Sequence, residues 1–222
     1  MNDCATHAAE ALARQRPRWL AAGLRELELP GAALFVQEQA WPAPRADALF
    51  ARLRAEIDWQ PLRLRLFGRE VLAPRLACWI GDADAVYRYS GTRFAPLPWT
   101  ATTAWLRDEL AARLGIACNS VLANLYRDGN DAMGWHSDDE PELGPAPLIA
   151  SLSFGAARTF RLRARERGNA TRLAIELGHG SLLLMAGRTQ ALYQHALPRR
   201  RRVLAPRINL TLRWIEAGAR SR

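Results

Sequence analysis

A chain of 222 residues and 24.8 kDa fits one compact domain with appended N-terminal elements, and 49% apolar residues suffice to fill its core. All 31 basic residues are arginine; against 22 acids they give a net charge of +9, which points to a polyanionic partner, nucleic acid first, and disfavours a neutral small molecule. No apolar run is long enough to span a membrane, no signal peptide is evident, and Cys4, Cys78 and Cys118 form no CxxC pair, so disulfide scaffolds and zinc ribbons are excluded and a cytoplasmic monomer is expected.

In chain order, residues 1–60 read as an N-terminal extension with a supporting helix. Ala5 to Leu24 is a mixed Ala/Arg/Glu helix interrupted at Pro17, and Ala32 to Val36 is a short strand ended by Trp41-Pro-Ala-Pro44. From Asp47 to Trp59, Leu49, Phe50, Leu53 and Ile57 recur at helical spacing and make a packing face. Residues 61–118 then hold a hairpin from Leu62 to Leu72 that turns at Phe67-Gly68. An aromatic at such a tip either packs back into the protein or meets a partner. Tyr87-Arg-Tyr89-Ser90 alternates, so both tyrosines share a face, as core residues or as a stacking surface for a flat cationic base. Trp99 to Leu114 is a supporting helix with Thr100 or Thr102 as N-cap and Gly115 as its stop.

Residues 119–222 contain short strands at Ser120 to Tyr126, Leu148 to Phe154, Thr159 to Leu162, Leu173 to Leu177, Ser181 to Met185, Ala191 to Leu197 and Arg207 to Ile215. Turns such as Arg167-Gly168-Asn169 and Gly178-His179-Gly180 separate them. Close strands with turn signals predict a sandwich or jelly roll, mainly β with flanking helices.

The candidate chemistry lies in that C-terminal part. His136 and Asp138 are two residues apart, so an extended backbone turns both toward one point and offers a nitrogen and an oxygen to a metal. One more histidine completes the facial set of two imidazoles and a carboxylate that leaves positions open for O2 and a co-substrate. His195 is the natural third ligand, with His179 as the alternative and His7 in the N-terminal tail. In the last strand Ile208, Leu210, Leu212 and Trp214 form an apolar face, and Arg207, Asn209, Thr211 and Arg213 form a polar one. That polar face reads either as solvated or as a clamp, because two planar guanidiniums suit a dicarboxylate. The run Arg199-Arg200-Arg201-Arg202 is either a solvated loop or a grip on phosphates.

Taken in order, Asn124-x-Tyr126-x-x-Gly129, His136-x-Asp138, His195 and Arg207-x-Asn209-Leu-Thr-x-Arg213 resemble the AlkB-type Fe(II)/2-oxoglutarate dioxygenases, and most closely their duplex-DNA-acting branch. The likeness runs from about Phe67 to Ile215. It implies a double-stranded β-helix (jelly-roll) core in residues 119–222, with residues 61–118 as a nucleotide-recognition lid and supporting helix. It implies Fe(II) on His136, Asp138 and His195, and 2-oxoglutarate held by Asn124, Tyr126, Arg207, Asn209 and Arg213, with O2 as second co-substrate. Arg207 would take the distal carboxylate and Arg213 would lie at the keto-acid end, within the catalytic set.

The same resemblance places Tyr87, Tyr89 and Ser90 over the target base and Phe67 as a wedge in the base stack. It also makes Glu140 an acceptor from a base edge, Arg75 a DNA contact, and Arg200, Arg201 and Arg202 phosphate contacts. The implied reaction is repair of alkylated, possibly double-stranded DNA. An N-methyl group of 1-methyladenine or 3-methylcytosine is hydroxylated and lost as formaldehyde, while 2-oxoglutarate becomes succinate and CO2. Rival readings keep the iron chemistry but move it to RNA, protein or a small molecule, or make the chain a non-catalytic nucleic-acid-binding module.

Overall fold

The computed structural model describes residues 2–66, 69–89 and 92–216, with side chains described outside residues 2–9, 64–66, 69, 87–89 and 92–94. Phe67 and Ser90 therefore lie outside the described residues, and Tyr87 and Tyr89 are placed as backbone only. The chain runs α1 (Asn2–Ala21), β1 (Arg25–Leu27), β2 (Ala33–Gln37), α2 (Ala43–Glu56), β3 (Gln60–Leu66), β4 (Arg69–Gly81), β5 (Tyr87–Tyr89), β6 (Thr92–Phe94) and α3 (Ala101–Leu114). It continues with β7 (Ser120–Tyr126), β8 (Met133–His136), a 3-10 turn at Pro141–Leu143, β9 (Ile149–Gly155), β10 (Arg158–Ala164), β11 (Arg172–Leu177), β12 (Ser181–Ala186), α4 (Thr189–Leu192), β13 (Tyr193–Leu197) and β14 (Arg207–Arg213).

The strands form two principal antiparallel sheets: a large one in the order β1-β2-β12-β9-β14-β7-β4-β3, and a smaller one in the order β11-β10-β13-β8. A separate hairpin pairs β5 with β6. Two facing antiparallel sheets agree with the jelly roll that the resemblance implies, one of the two architectures the strand spacing left open. The central strands of the large sheet are buried on both faces, and period two decides which residues go where. One face sends Val121, Ala123, Leu125, Ala150, Leu152, Phe154, Leu182, Leu184, Ile208, Leu210 and Leu212 onto Leu49 and Leu53 of α2 and Leu106, Leu110 and Leu114 of α3. The other face looks at the small sheet. At one end that space is filled by Leu34, Val36, Ile149, Leu183 and Met185 against Phe160, Leu162, Ile175 and Leu177. At the other end the inward positions of β7, β9 and β14 are polar apart from Leu122, and a cavity remains.

Several boundaries differ from the sequence reading. Helix α1 continues through Pro17. The lost N–H is offset because its last turn is anchored: Trp19 Nε1 donates to Leu114 O at 3.0 Å and Arg18 Nε to Arg113 O at 3.1 Å, satisfying carbonyls at the end of α3. Helix α2 begins at Ala43, since Pro44 stands in the first turn where an N–H is not needed, and it ends at Glu56. β14 stops at Arg213, and Trp214 turns out to 53% exposure instead of joining the apolar face. Residues 61–118 are continuous with the core, because β4 pairs with β7 along Leu76 to Gly81.

Helix α3 follows its signals closely. Thr100 Oγ1 accepts from Thr103 N at 3.2 Å, Thr103 Oγ1 accepts from Thr100 N at 3.0 Å, and Gly115 closes the helix at φ 68°. Replacing Thr100 by Ala removes this reciprocal cap. A loss of about 1 kcal/mol is expected in denaturant-induced unfolding followed by tryptophan fluorescence.

Candidate active site

β8 is the edge strand of the small sheet, and its register on β13 sets His136 opposite His195. Their ring centroids are 4.2 Å apart. The chain leaves the sheet after His136, and Asp138 is steered back by its own N–H, which donates to Gln190 Oε1 at 3.0 Å. One ligand atom from each of His136, Asp138 and His195 falls within 4.8 Å of the others. His136 Nε2 lies 3.8 Å from Asp138 Oδ1, and His195 Nε2 lies 3.9 Å from Asp138 Oδ2. These separations exceed hydrogen-bond length but match two ligands of one ion at roughly 2.1 Å each.

The protonation states suit that role. His136 Nδ1 is 2.9 Å from Gly134 O, and a carbonyl only accepts, so Nδ1 donates there and Nε2 is the nitrogen turned toward Asp138. His195 stacks on Phe160 at 5.1 Å. Burial, helped by the nearby His136 and Arg213, pushes it down to about 3 despite the opposing pull of Asp138, so the imidazole is neutral. For Asp138, burial alone would raise the carboxyl, but Arg213, His195 and His136 together outweigh it and hold it below the ordinary value. Arg213 Nη1 stands 3.4 Å from Asp138 Oδ1, and its guanidinium lies 5.3 Å over the Trp79 ring. Two imidazoles and a carboxylate, unbonded to one another, fit a divalent iron.

Next to this triad the cavity is lined by Asn124, Tyr126, Ser151, Arg207, Asn209, Thr211 and Arg213, with Leu122, Met133, Phe160, Met185 and Leu197 as apolar walls. Cross-strand pairing sets Arg207 opposite Tyr126 and Asn209 opposite Asn124. Arg207 Nη2 donates to Ser153 Oγ at 2.8 Å and its guanidinium lies 5.4 Å over Tyr126. Its Nε is buried without a hydrogen-bond partner, and burial pushes the group down to about 10, so it stays charged at neutral pH. A buried cation with no acidic partner among the described residues is costly, and a bound carboxylate would compensate it. Asn209 Nδ2 donates to Ser151 Oγ and Leu152 O, both at 2.9 Å.

Of the other residues singled out by sequence, His179 is excluded from the triad. Its Nδ1 accepts from Gly155 N at 2.8 Å and its Nε2 is 3.1 Å from Asp47 Oδ1, beside α2. Arg75 was expected to contact DNA, yet it is 4% exposed and its Nε donates to Asn124 Oδ1 at 2.8 Å; β4 turns it into the sandwich, where a buried amide satisfies it. Glu140 is half-buried ahead of the 3-10 turn and is not among the cavity-lining residues. Arg200, Arg201 and Arg202 are exposed in the β13–β14 loop, with Arg200 Nη1 at 2.6 Å from Glu176 Oε1.

That loop explains Gly129. Gly129 N donates to Val203 O at 2.7 Å and Arg200 N donates to Gly129 O at 2.8 Å, and a Cβ at 129 would sit 1.9 Å from Arg200 O. Four supporting residues lie outside the sequence motifs. Ser151 and Ser153 were readable as alternate polar positions in an apolar strand, whereas Gln190 carries no local signal. Arg158 is buried and donates through Nη2 to Asp131 O at 2.8 Å and Pro198 O at 2.7 Å, tying the loops on both sides of the triad.

Residues 34–213 match the family model described as the 2OG-Fe(II) oxygenase superfamily. The chain belongs to this superfamily. The mouse (Mus musculus) DNA oxidative demethylase ALKBH2 is 41% identical over 179 residues, covering 77% of this chain and 75% of that protein. The human (Homo sapiens) alpha-ketoglutarate-dependent dioxygenase alkB homolog 3 is 41% identical over 181 residues, covering 77% and 62%. The Arabidopsis thaliana DNA oxidative demethylase ALKBH2 is 32% identical over 211 residues, covering 83% and 67%. The solved structure of OsALKBH1 overlays with a TM-score of 0.56 at 16% identity, over 86% of this chain and 99% of that one, a likeness of fold. The oxygenase is thus of the AlkB type and depends on Fe(II), 2-oxoglutarate and O2. No helix among the described residues is long and apolar enough to cross a membrane.

Two outcomes follow from this geometry. Anaerobic titration with Co(II), read by its visible absorption, should show binding by wild type and His179→Ala but not by His136→Ala. Asp131, 4% exposed, accepts from Arg127 N at 2.9 Å and from Arg127 Nε and Nη2 at 2.8 Å; burial raises its carboxyl, but these bonds outweigh that and lower it below the ordinary value. A depressed acid stabilises the fold above its unfolded pKa and loses that contribution as pH falls through the folded one. The stability gap between wild type and Asp131→Asn, about 1–2 kcal/mol at neutral pH, should therefore narrow on acidification below about pH 4 in denaturant titrations.

Proposed function

We propose that this oxygenase removes N-methyl groups from DNA bases methylated on the Watson–Crick edge, of the 1-methyladenine and 3-methylcytosine type. The observation that carries the reading is the pairing, in one cavity, of the His136, Asp138 and His195 donors with the buried Arg207 guanidinium that has no acidic partner among the described residues. The relatives named DNA oxidative demethylase support DNA as the substrate, and the net charge of +9 agrees with it.

His136, Asp138 and His195 would hold the iron. When bound, it activates O2 together with 2-oxoglutarate, yielding succinate and CO2 while the substrate N-methyl group is hydroxylated and then lost as formaldehyde. Arg213, at 3.4 Å from the Asp138 carboxylate, sets a positive charge where the keto-acid end would lie. Arg207 takes the distal carboxylate, with Tyr126 stacked beneath its guanidinium and Asn124 across the strand pair from Asn209. Asn209 acts indirectly in this scheme, since its amide is committed to Ser151 and Leu152 and holds β14 against β9. Leu122, Phe160, Met185 and Leu197 exclude water from the reacting end. A methyl on the pairing edge abolishes normal pairing, so such a base costs least to extrude, and selectivity has a physical basis before any contact is made.

A methylated DNA oligonucleotide should release formaldehyde only with added Fe(II) and 2-oxoglutarate. Arg207→Ala should weaken 2-oxoglutarate binding at least about 30-fold, measured calorimetrically on the Mn(II)-loaded protein, because truncating one side of a buried charge pair costs about 2 kcal/mol or more. Formaldehyde release from methylated RNA but not from DNA would overturn the substrate assignment.

A further inference from the structure

Apart from the cavity, the outer surface of the small sheet gathers exposed arginines and an exposed tryptophan. In β10, Phe160 and Leu162 point into the core, so Arg161 and Arg163 point out. Register sets Arg161 beside Ala174 of β11 and Ala196 of β13, and Arg163 beside Arg172 and Gln194. The face is therefore a shallow floor of small side chains among arginines. Its acid, Glu176, is already engaged by Thr159 Oγ1 at 2.7 Å and Arg200 Nη1 at 2.6 Å. Arg161 and Arg172 are exposed, and their guanidiniums make no hydrogen bond or ion pair among the described residues.

At the β8 edge stands Trp135, 40% exposed, with the Arg163 guanidinium 4.3 Å from its ring. Arg163 is itself pinned, donating through Nε at 3.1 Å and Nη2 at 2.8 Å to Gln194 Oε1. An exposed indole held in place by a fixed cation is a stacking platform prepared in advance.

We propose that this outer face binds single-stranded DNA and forms a track that leads the strand carrying the target base to the cavity. The proposal rests on the DNA reading above. Unpaired bases offer free faces to Trp135, whereas a duplex hides them, and phosphates neutralise Arg161 and Arg172. Trp135 and His136 are adjacent on an edge strand and face opposite sides of it, so a strand lying on the outer face need only cross that edge to reach the triad.

The test uses the full chain and a fluorescently labelled, unmethylated oligothymidylate, with anisotropy as the binding readout. Arg161→Glu combined with Arg172→Glu should weaken binding at least about tenfold and flatten the dependence of log affinity on log salt by about 1.4, two phosphates at roughly 0.7 each. Trp135→Ala should cost roughly tenfold and Trp135→Phe much less, as stacking requires. Formaldehyde release from a methylated trinucleotide, too short to span the face, should be unchanged in the double arginine variant while release from a long methylated strand falls. Unchanged oligothymidylate binding in the variants overturns the track, as does an equal loss on duplex DNA or tighter wild-type binding to oligouridylate. Failure of wild type to release formaldehyde from either substrate would instead count against the demethylase reading and leave the binding result to stand by itself.

Discussion

A carboxylate taken out of water between two imidazoles and a guanidinium is the interaction on which this structure depends. Asp138 is 7% exposed, and burial alone would drive it toward the neutral form. Arg213, 1% exposed and 3.4 Å away, keeps it ionised, while the same burial keeps His195 neutral. Each group is thereby held in the state a metal requires before any metal arrives. Such a cluster is expensive to bury, and removing one member would leave its partner uncompensated. The apolar packing on the far side of the large sheet and at the closed end of the sandwich offsets that cost and fixes the strands from which the charges project.

The loops around the site are tied together by backbone as much as by side chains. Gly129 accepts from Arg200 N and donates to Val203 O across two connections, Arg158 reaches carbonyls in both, and Asp131 braces Arg127. The glycine in the Asn-x-Tyr-x-x-Gly pattern serves close approach: with Arg200 O at 1.9 Å from where a Cβ would stand, any side chain would part the loops. The basic Arg199 to Arg202 run is thus held against the loop that carries Gly129 by main-chain bonds, and its arginines are exposed.

Where the local pattern was complete, the sequence was a sound guide. Thr100 and Gly115 bracket α3 because both cap chemistries act within a single turn. The alternation of β14 was correct, yet its polar face turned out to be buried, with Arg207 at 2% and Asn209 at 8% exposure, since a second sheet covers it. Pro17 would break an isolated helix, and it is tolerated because Arg18 and Trp19 are fastened to the end of α3, 94 or 95 positions further along. Arg75 carried no mark of its inward course, as its acceptor Asn124 lies 49 residues away.

Residue types and order alone determined the donor inventory, the two sheet-forming periodicities and the net charge of +9, because these are properties of composition and of neighbours within a turn or a strand. Only the tertiary structure decided which histidine joins His136 and Asp138. His195 lies within one short strand and His179 just ahead of another, and the choice depends on β13 pairing with β8 while His179 turns toward Asp47 and α2. Tertiary structure also set Trp135 and Arg163 against each other on one outward face, since strand register, which brings distant residues side by side, is fixed by the packing of both sheets rather than by either segment.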